Sequence, residues 1–225
     1  GHYARIVQDE QGYHLHRCLH ATKDQSYFIY GIGRRNLERV LFPLGNLNKD
    51  ETRRIAEEMS LPYCRTESQD ICFLRGLDYR ELFNTQGRLP GPIKDLSGRV
   101  LATHEGVENF TIGQRKGIKL SGGPYFVLKI IPEEQTVVVG SKEEAYHSFL
   151  RVTDAVWLED AQPGKRVMAK VRSRHELAPA FIESLTENSF SLRFEEPQWA
   201  ITPGQSAVLY DGDRVLGGGV IQLSE

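Results

Sequence analysis

Ala207-Val208-Leu209-Tyr210-Asp211-Gly212-Asp213-Arg214-Val215-Leu216 reads as two β-prone runs joined across an Asp-Gly turn. That residue pair tolerates the positive φ angles of a tight hairpin, so the stretch predicts two adjacent antiparallel strands. The same pattern recurs upstream, where Tyr125 to Ile131 and Thr136 to Val139 flank Pro132-Glu133-Glu134-Gln135. From Pro90 onward Gly and Pro punctuate short runs of this kind at intervals of about ten residues, the signature of small β-barrels or sandwiches. Tyr79 to Phe83 is the one short helical stretch near this region.

Towards the amino terminus the texture is mixed α/β. Tyr3 to Val7 and Tyr13 to Cys18 form a hairpin pattern around Asp9-Glu10-Gln11-Gly12. Lys23 to Tyr30 leads into a short helical run, Asn36 to Phe42, closed by Pro43. Asn48 with Glu51 three residues on predicts a capped helix start. Ile55 and Met59 give it an apolar pair, and Leu61-Pro62 stops it. Three regions follow: 1–75, 76–146 and 147–225, the last boundary set where Lys142-Glu143-Glu144 precedes a new strand-rich stretch.

Composition narrows the class. A 26% charged fraction beside 40% hydrophobic residues fits a folded chain rather than a disordered one. Three cysteines, an odd number, do not make a disulfide framework and favour a reducing compartment, the cytoplasm with the mitochondrion as alternative. No apolar run approaches the roughly 18 residues that span a bilayer, so no membrane partner is expected. Gly1-His2-Tyr3 carries neither an initiator Met nor a signal peptide, from which a fragment is expected. The net charge of −2 argues against nucleic acid only if it is evenly spread, and it is not: Asp160 to Arg174 holds five Lys/Arg and one acid. Arg166, Met168, Lys170, Arg172 and Arg174 alternate with Val167, Ala169 and Val171, so a strand here would bury the small apolar side and offer cations to a phosphate backbone. An ordinary solvated strand face reads the same way.

Three other features invite chemistry. Cys72, in Glu67-Ser68-Gln69-Asp70-Ile71-Cys72-Phe73-Leu74, is by its neighbours a buried small hydrophobe. As a reactive sulfur it would need the thiolate form, which Asp70 disfavours and Arg65 or Arg75 would favour. His14, His16, Cys18 and His20 share one strand face, yet residues four apart on a strand lie roughly 13 Å from each other. They cannot both reach one zinc ion at about 2 Å, so no metal site is expected. Gly113-Gln114-Arg115-Lys116-Gly117 is only loosely like a phosphate-gripping loop, since no helix follows it, and reads as a tight turn.

Six segments in order resemble the tRNA-specific 2-thiouridylases, which place sulfur on the wobble uridine. They are Gly1-His2-Tyr3-Ala4-Arg5, Lys23-Asp24-Gln25-Ser26-Tyr27-Phe28, Leu41-Phe42-Pro43-Leu44-Gly45 and Ser68-Gln69-Asp70-Ile71-Cys72-Phe73. Thr111-Ile112-Gly113-Gln114-Arg115-Lys116-Gly117 and Ile201-Thr202-Pro203-Gly204-Gln205-Ser206-Ala207-Val208 complete the set. The family's amino-terminal Ser-Gly-Gly-x-Asp-Ser loop and its first catalytic cysteine are absent from this sequence. The resemblance therefore implies an α+β chain: the remnant of an α/β nucleotide-binding domain of ATP-pyrophosphatase type (1–75), a small central β-rich domain (76–146) and a carboxy-terminal, tRNA-binding β-barrel (147–225).

By the same resemblance the activity is that of a sulfurtransferase, with this chain incomplete for catalysis by itself. Cys72 matches the family's second cysteine, which carries or resolves the persulfide and can form a disulfide with the first. Gly1 matches a glycine near ATP, which would be bound with Mg2+ mainly by residues absent from this sequence. His2, Lys23, Asp24, Gln25, Arg174, His175 and Gln205 match tRNA contacts, with His175 standing where the family has an aromatic residue. The implied partners are tRNA and a persulfide sulfur-relay protein or cysteine desulfurase. The rival reading is a non-catalytic RNA-binding module in which Cys72 only packs.

Overall fold

The computed structural model describes residues 2–62, 89–118 and 120–222, which fall into two units: the residues up to 62 together with those from 148 on, and residues 89–147. The first unit opens with the predicted hairpin, β1 (Ala4–Asp9) and β2 (Gly12–Arg17), paired antiparallel from Ala4 with Arg17 to Asp9 with Gly12. A one-turn helix, α1 (Ser26–Ile29), and 3-10 turns at Tyr30–Ile32 and Arg34–Arg39 follow. Then comes α2 (Lys49–Glu58), whose start is the predicted capping box. There the Asn48 side chain accepts the Glu51 N–H at 2.8 Å, and the Glu51 carboxylate accepts the Asn48 N–H at 2.7 Å. Among the described residues of 2–62 no strands pair in parallel, so the α/β nucleotide-binding remnant expected for this region does not show there.

The second unit is a four-stranded sheet of β3 (Gly91–Lys94), β4 (Val100–His104), β5 (Phe126–Ile131) and β6 (Thr136–Gly140), ordered β4-β3-β6-β5. The β3–β6 pair is parallel and the other pairs antiparallel, while Ile93, Val127, Val137 and Val139 are buried.

Six strands complete the first unit: β7 (Tyr146–Trp157), β8 (Arg166–Lys170), β9 (Ala178–Leu185), β10 (Ser189–Trp199), β11 (Ser206–Asp211) and β12 (Arg214–Gln222). Their order, β12-β11-β8-β9-β10-β7, closes through a β12–β7 pairing into a six-stranded barrel. Closure leaves none of the six as a free edge. Inside lie Leu150, Val152, Val167, Ala169, Ile182, Leu192, Phe194, Leu209 and Ile221. The hairpin quoted first from the sequence is β11–β12, with Asp211 opposite Arg214.

β11 shows why its sequence runs apolar without alternation. Ala207 and Leu209 face the barrel interior, while Val208 and Tyr210 belong to an outer cluster with Ala4, Leu15, Tyr27, Leu37, Leu158 and Val215. Both faces are buried, so both want apolar side chains. The amino-terminal layer thus packs on the barrel, and the β1–β2 hairpin joins its sheet where His16 pairs with Arg214. β12 bears the crowding. A Cβ on Gly217 would stand 2.5 Å from the Val156 carbonyl oxygen, and one on Gly218 would stand 2.7 Å from that of Ala207. Glycine at these two positions is what lets β12 lie so close to the strands on either side.

Candidate nucleic-acid interface

The Lys23-Asp24-Gln25 segment enters α1, and its side chains are spent largely on holding it in place. The Asp24 carboxylate, 1% exposed, accepts the N–H groups of Cys18 (3.1 Å) and Ser26 (3.3 Å) and the Ser26 hydroxyl (2.8 Å), with the Arg17 Nε at 3.5 Å. The Gln25 side-chain oxygen accepts the Tyr3 N–H at 3.0 Å, while its own N–H donates to the Tyr3 carbonyl at 2.9 Å. A tyrosine pair then ties α1 to the barrel: Tyr27 donates to the Ser206 carbonyl at 2.9 Å, and the Tyr30 and Ser206 hydroxyls lie 3.0 Å apart. Ser206 follows Gln205 directly, so the third predicted contact is brought beside the first. Phe28, on the same helix, is 66% exposed and set edge-on to Tyr27.

The basic run supplies the rest. β8 buries Val167 and Ala169 as its alternation predicts, but the strand stops at Lys170 and residues 171–176 turn. In that turn the His175 N–H donates to the Arg172 carbonyl at 3.1 Å, and the Arg172 guanidinium donates to the Thr202 hydroxyl. Arg174 is exposed. The strip is therefore shorter than its spacing implied. Its first member, Arg166, is held in a two-point ion pair with Glu195, at 2.6 and 3.2 Å.

Electrostatics link the segments. Burial pushes the Lys170 ammonium down from its ordinary value, and the Asp24 carboxylate pulls it back up. Burial, with Arg172 and Lys170 adding their charge, pushes the His175 imidazole down, so it is neutral at pH 7 and available for stacking. Arg17 lies 6.0 Å over the Tyr210 ring, whose hydroxyl burial pushes up. Lys23 to Gln25, Arg172 to His175 and Thr202 to Gln205 thus come from three distant parts of the sequence to one face. Arg17, Lys170 and Arg172 are its cations and Asp24 its carboxylate, with Lys23, Arg174 and Glu176 next to them in the chain.

Other predicted residues fall elsewhere. His2 is exposed, with its ring edge-on to Phe42 at 6.4 Å. Gly1, Cys64 and Cys72 lie outside the described residues. Cys18 is a packing residue: its thiol is buried, donates to the His20 carbonyl at 3.0 Å, and is pushed up by burial, away from the thiolate.

Sequence reading missed what His14 does. It is buried with Nε2 2.8 Å from Asp9 and Nδ1 2.5 Å from Glu159, while Arg214 holds Asp9 at 2.8 Å. Asp9 is five residues away across the hairpin, but Glu159 and Arg214 come from remote segments that no local spacing signals. Two positions on, His16 has a buried Nε2 with no hydrogen-bond partner among the described residues. Burial, with Arg5 and Arg214 nearby, pushes its imidazole down. The unfolded chain takes up this proton below about pH 6.5 while the folded chain resists it, so stability falls as pH drops through that value. Thermal melts from pH 7.5 to pH 5.5 should show a shallower loss for His16→Leu than for the parent chain. Equal slopes would rule out a cost of charging His16.

Cations, an exposed aromatic ring and tyrosine-braced turns thus share one face of a closed barrel. Comparison with known proteins places this arrangement in a family. Family models match in chain order: the tRNA methyl transferase HUP domain over residues 1–76, the tRNA methyl transferase PRC-barrel domain over 82–141, and the aminomethyltransferase beta-barrel domain over 147–221. The tRNA-specific 2-thiouridylase MnmA of Chloroflexus aggregans is 42% identical over the whole of this chain, which covers 65% of that protein. The protein of the same name from Acidithiobacillus ferrooxidans is 43% identical over the whole chain and 66% of its own length. That from Dehalococcoides mccartyi is 40% identical over 99% of this chain and 63% of its own length. The chain belongs to the tRNA-specific 2-thiouridylase family and spans about 65% of the length of these relatives.

Proposed function

We propose that this chain is the tRNA-holding and sulfur-carrying part of a tRNA 2-thiouridylase, a sulfurtransferase that thiolates the wobble uridine at the expense of ATP. The observation that carries this reading is the meeting of Lys23–Gln25, Arg172–His175 and Thr202–Gln205 on one barrel face. Backbone phosphates would lie along Lys23, Lys170 and Arg174, and an unstacked base against Phe28 or the neutral His175. Asp24 and Gln25 would act by fixing the geometry of that face.

Cys72 would carry the sulfur. Its thiolate attacks the terminal sulfur of a donor persulfide, the donor's S–S bond breaks, and the donor leaves as a thiolate, so the relay is redox-neutral. The donor would be a relay protein or a cysteine desulfurase. Residues 1–75 would end the nucleotide-binding domain, a reading the HUP-domain match supports. The described residues themselves do not fit ATP. α2 is the one described α-helix longer than a single turn, and its capping box already occupies the Asn48 and Glu51 N–H groups, with Asp50 and Glu51 in the first turn repelling phosphate. Nor do the described residues group three His, Cys, Asp or Glu for a Mg2+ ion. The nucleotide would be held by other residues. No helix among the described residues is long and apolar enough to cross a membrane, and we place the enzyme in the cytoplasm.

A salt titration of tRNA affinity tests the interface. Each lost phosphate contact should flatten the slope of log affinity against log salt by about 0.7 to 1. Arg174→Ala should do so without moving the melting temperature. Arg172→Ala should lower both, because Arg172 also ties the 171–176 turn to Thr202. An unchanged slope in both variants would make this face ordinary solvated surface.

A further inference from the structure

The Gly113-Gln114-Arg115-Lys116-Gly117 turn has no place in the barrel face, yet it is a firmly built one. Gly113 and Gly117 take φ values of 83° and 85°, the left-handed region that favours glycine. The Gln114 side chain ties the turn together internally: its oxygen accepts the Thr111 N–H at 2.9 Å and its amide donates to the Lys116 carbonyl at 2.9 Å. The backbone is pinned to β5, Gly113 N–H to the Val127 carbonyl at 2.8 Å and Val127 N–H to the Gln114 carbonyl at 3.0 Å. Ile112 is buried beneath, while Arg115 and Lys116 stand exposed at the tip. Every polar group of Gln114 is used on geometry, and both cations are left to face outward.

Beside this turn lies a cleft of about 530 Å³, lined by Arg115, Gly122, Gly123, Tyr125, Lys142 and Glu143 among others. One wall is open: a Cβ on Gly122 would only just touch the Tyr125 hydroxyl, at 3.9 Å, and one on Gly123 the Tyr125 ring, at 4.0 Å. Lys142, also in the lining, sits in a local turn in which the Ser141 N–H donates to the Glu144 carboxylate at 2.7 Å. The volume suits one nucleotide. Arg115, Lys116 and Lys142 stand against Glu143 and the Glu144 carboxylate that the Ser141 N–H engages, a modest positive balance that fits the single charge of a phosphodiester. With no helix N-terminus at the turn, there is no cradle for a free phosphate dianion.

We propose that this cleft is a second tRNA contact, taking a backbone phosphodiester on Arg115 and Lys142 and the attached nucleoside against Tyr125. The proposal rests on the reading of the chain as a tRNA binder. It is tested by measuring tRNA affinity against salt for the full chain, Arg115→Ala/Lys142→Ala, Arg115→Gln/Lys142→Gln and the barrel variant Arg174→Ala, with titration of inorganic phosphate alongside. Both double variants should weaken binding about fivefold near 0.1 M salt and flatten the slope by about 0.7, for the one phosphodiester the two cations share. Both should melt like the parent chain. If the parent chain does not bind tRNA, the functional reading falls and this proposal with it. If the parent binds, Arg174→Ala flattens the slope and the double variants do not, this cleft alone is overturned. Saturation of the cleft by inorganic phosphate at about 1 mM, without competition from tRNA, would make it a small-anion pocket and also overturn the proposal.

Discussion

Asp24→Ala should lower the melting temperature of the barrel unit by about 10 °C and bring tRNA binding close to the background level. The Asp24 side chain is nearly fully buried and serves four groups at once: two backbone N–H donors, the Ser26 hydroxyl and the Arg17 guanidinium. Removing one member of such a buried charged cluster leaves the others desolvated, at about 3 to 5 kcal/mol. For a chain of this size each kcal/mol is worth about 2 to 4 °C. Function should fail alongside stability, because Asp24 sets the entry to α1, and α1 positions Tyr27 and Tyr30 against Ser206. Asp24→Asn keeps an acceptor for the two N–H groups and should lose less on both counts. If Asp24→Ala instead melts like the parent chain but binds tRNA poorly, Asp24 touches the RNA directly and its buried role is misread.

That double character explains how far the sequence could be read. The Asp-Gly hairpin, the capping box at Asn48 and the alternation of Val167 and Ala169 are local patterns, and each reappears in the structure. The barrel's closure is not local. It depends on Gly217 and Gly218, where a Cβ would stand within 3 Å of a neighbouring carbonyl oxygen, and on β12 pairing with β7, more than 50 residues away. Likewise, the single pairing of His16 with Arg214 joins the amino-terminal hairpin to the barrel sheet, and no hydrophobic period announces it.

For the site, charge spacing found the right neighbourhood but not the roles. The alternation from Arg166 to Arg174 implied one cationic face, whereas ion pairing takes Arg166 away and the chain turns after Lys170. Lys23, Asp24 and Gln25 entered as direct contacts. In the structure Asp24 and Gln25 hold backbone, a function that depends on their partners Tyr3, Cys18 and Ser26 and so lies beyond any motif. Tyr27, Tyr30 and Thr202, which assemble the face, went unnoticed because a tyrosine or threonine in a short helix or turn is commonplace. Phe28 was legible in principle as a bulky aromatic beside a polar triplet, but its exposure needed coordinates.

In the complete enzyme, Cys72→Ser should reduce 2-thiouridine formation by about three orders of magnitude or more while leaving tRNA affinity and its salt slope unchanged. A serine hydroxyl cannot hold a persulfide, so the loss would fall on sulfur delivery and not on binding. Cys18→Ser should differ in kind. That thiol is buried and donates to a carbonyl, so its replacement should cost some stability and leave the sulfur chemistry intact. A non-catalytic RNA-binding module would show no such selective loss of sulfur delivery. The most direct test is the mass of the Cys72 peptide after the protein has been incubated with a cysteine desulfurase and cysteine, then alkylated. A peptide heavier by one sulfur atom, reversed by a thiol reductant and absent from Cys72→Ser, is the predicted result. An unmodified Cys72 under conditions in which the complete enzyme thiolates tRNA would contradict the account.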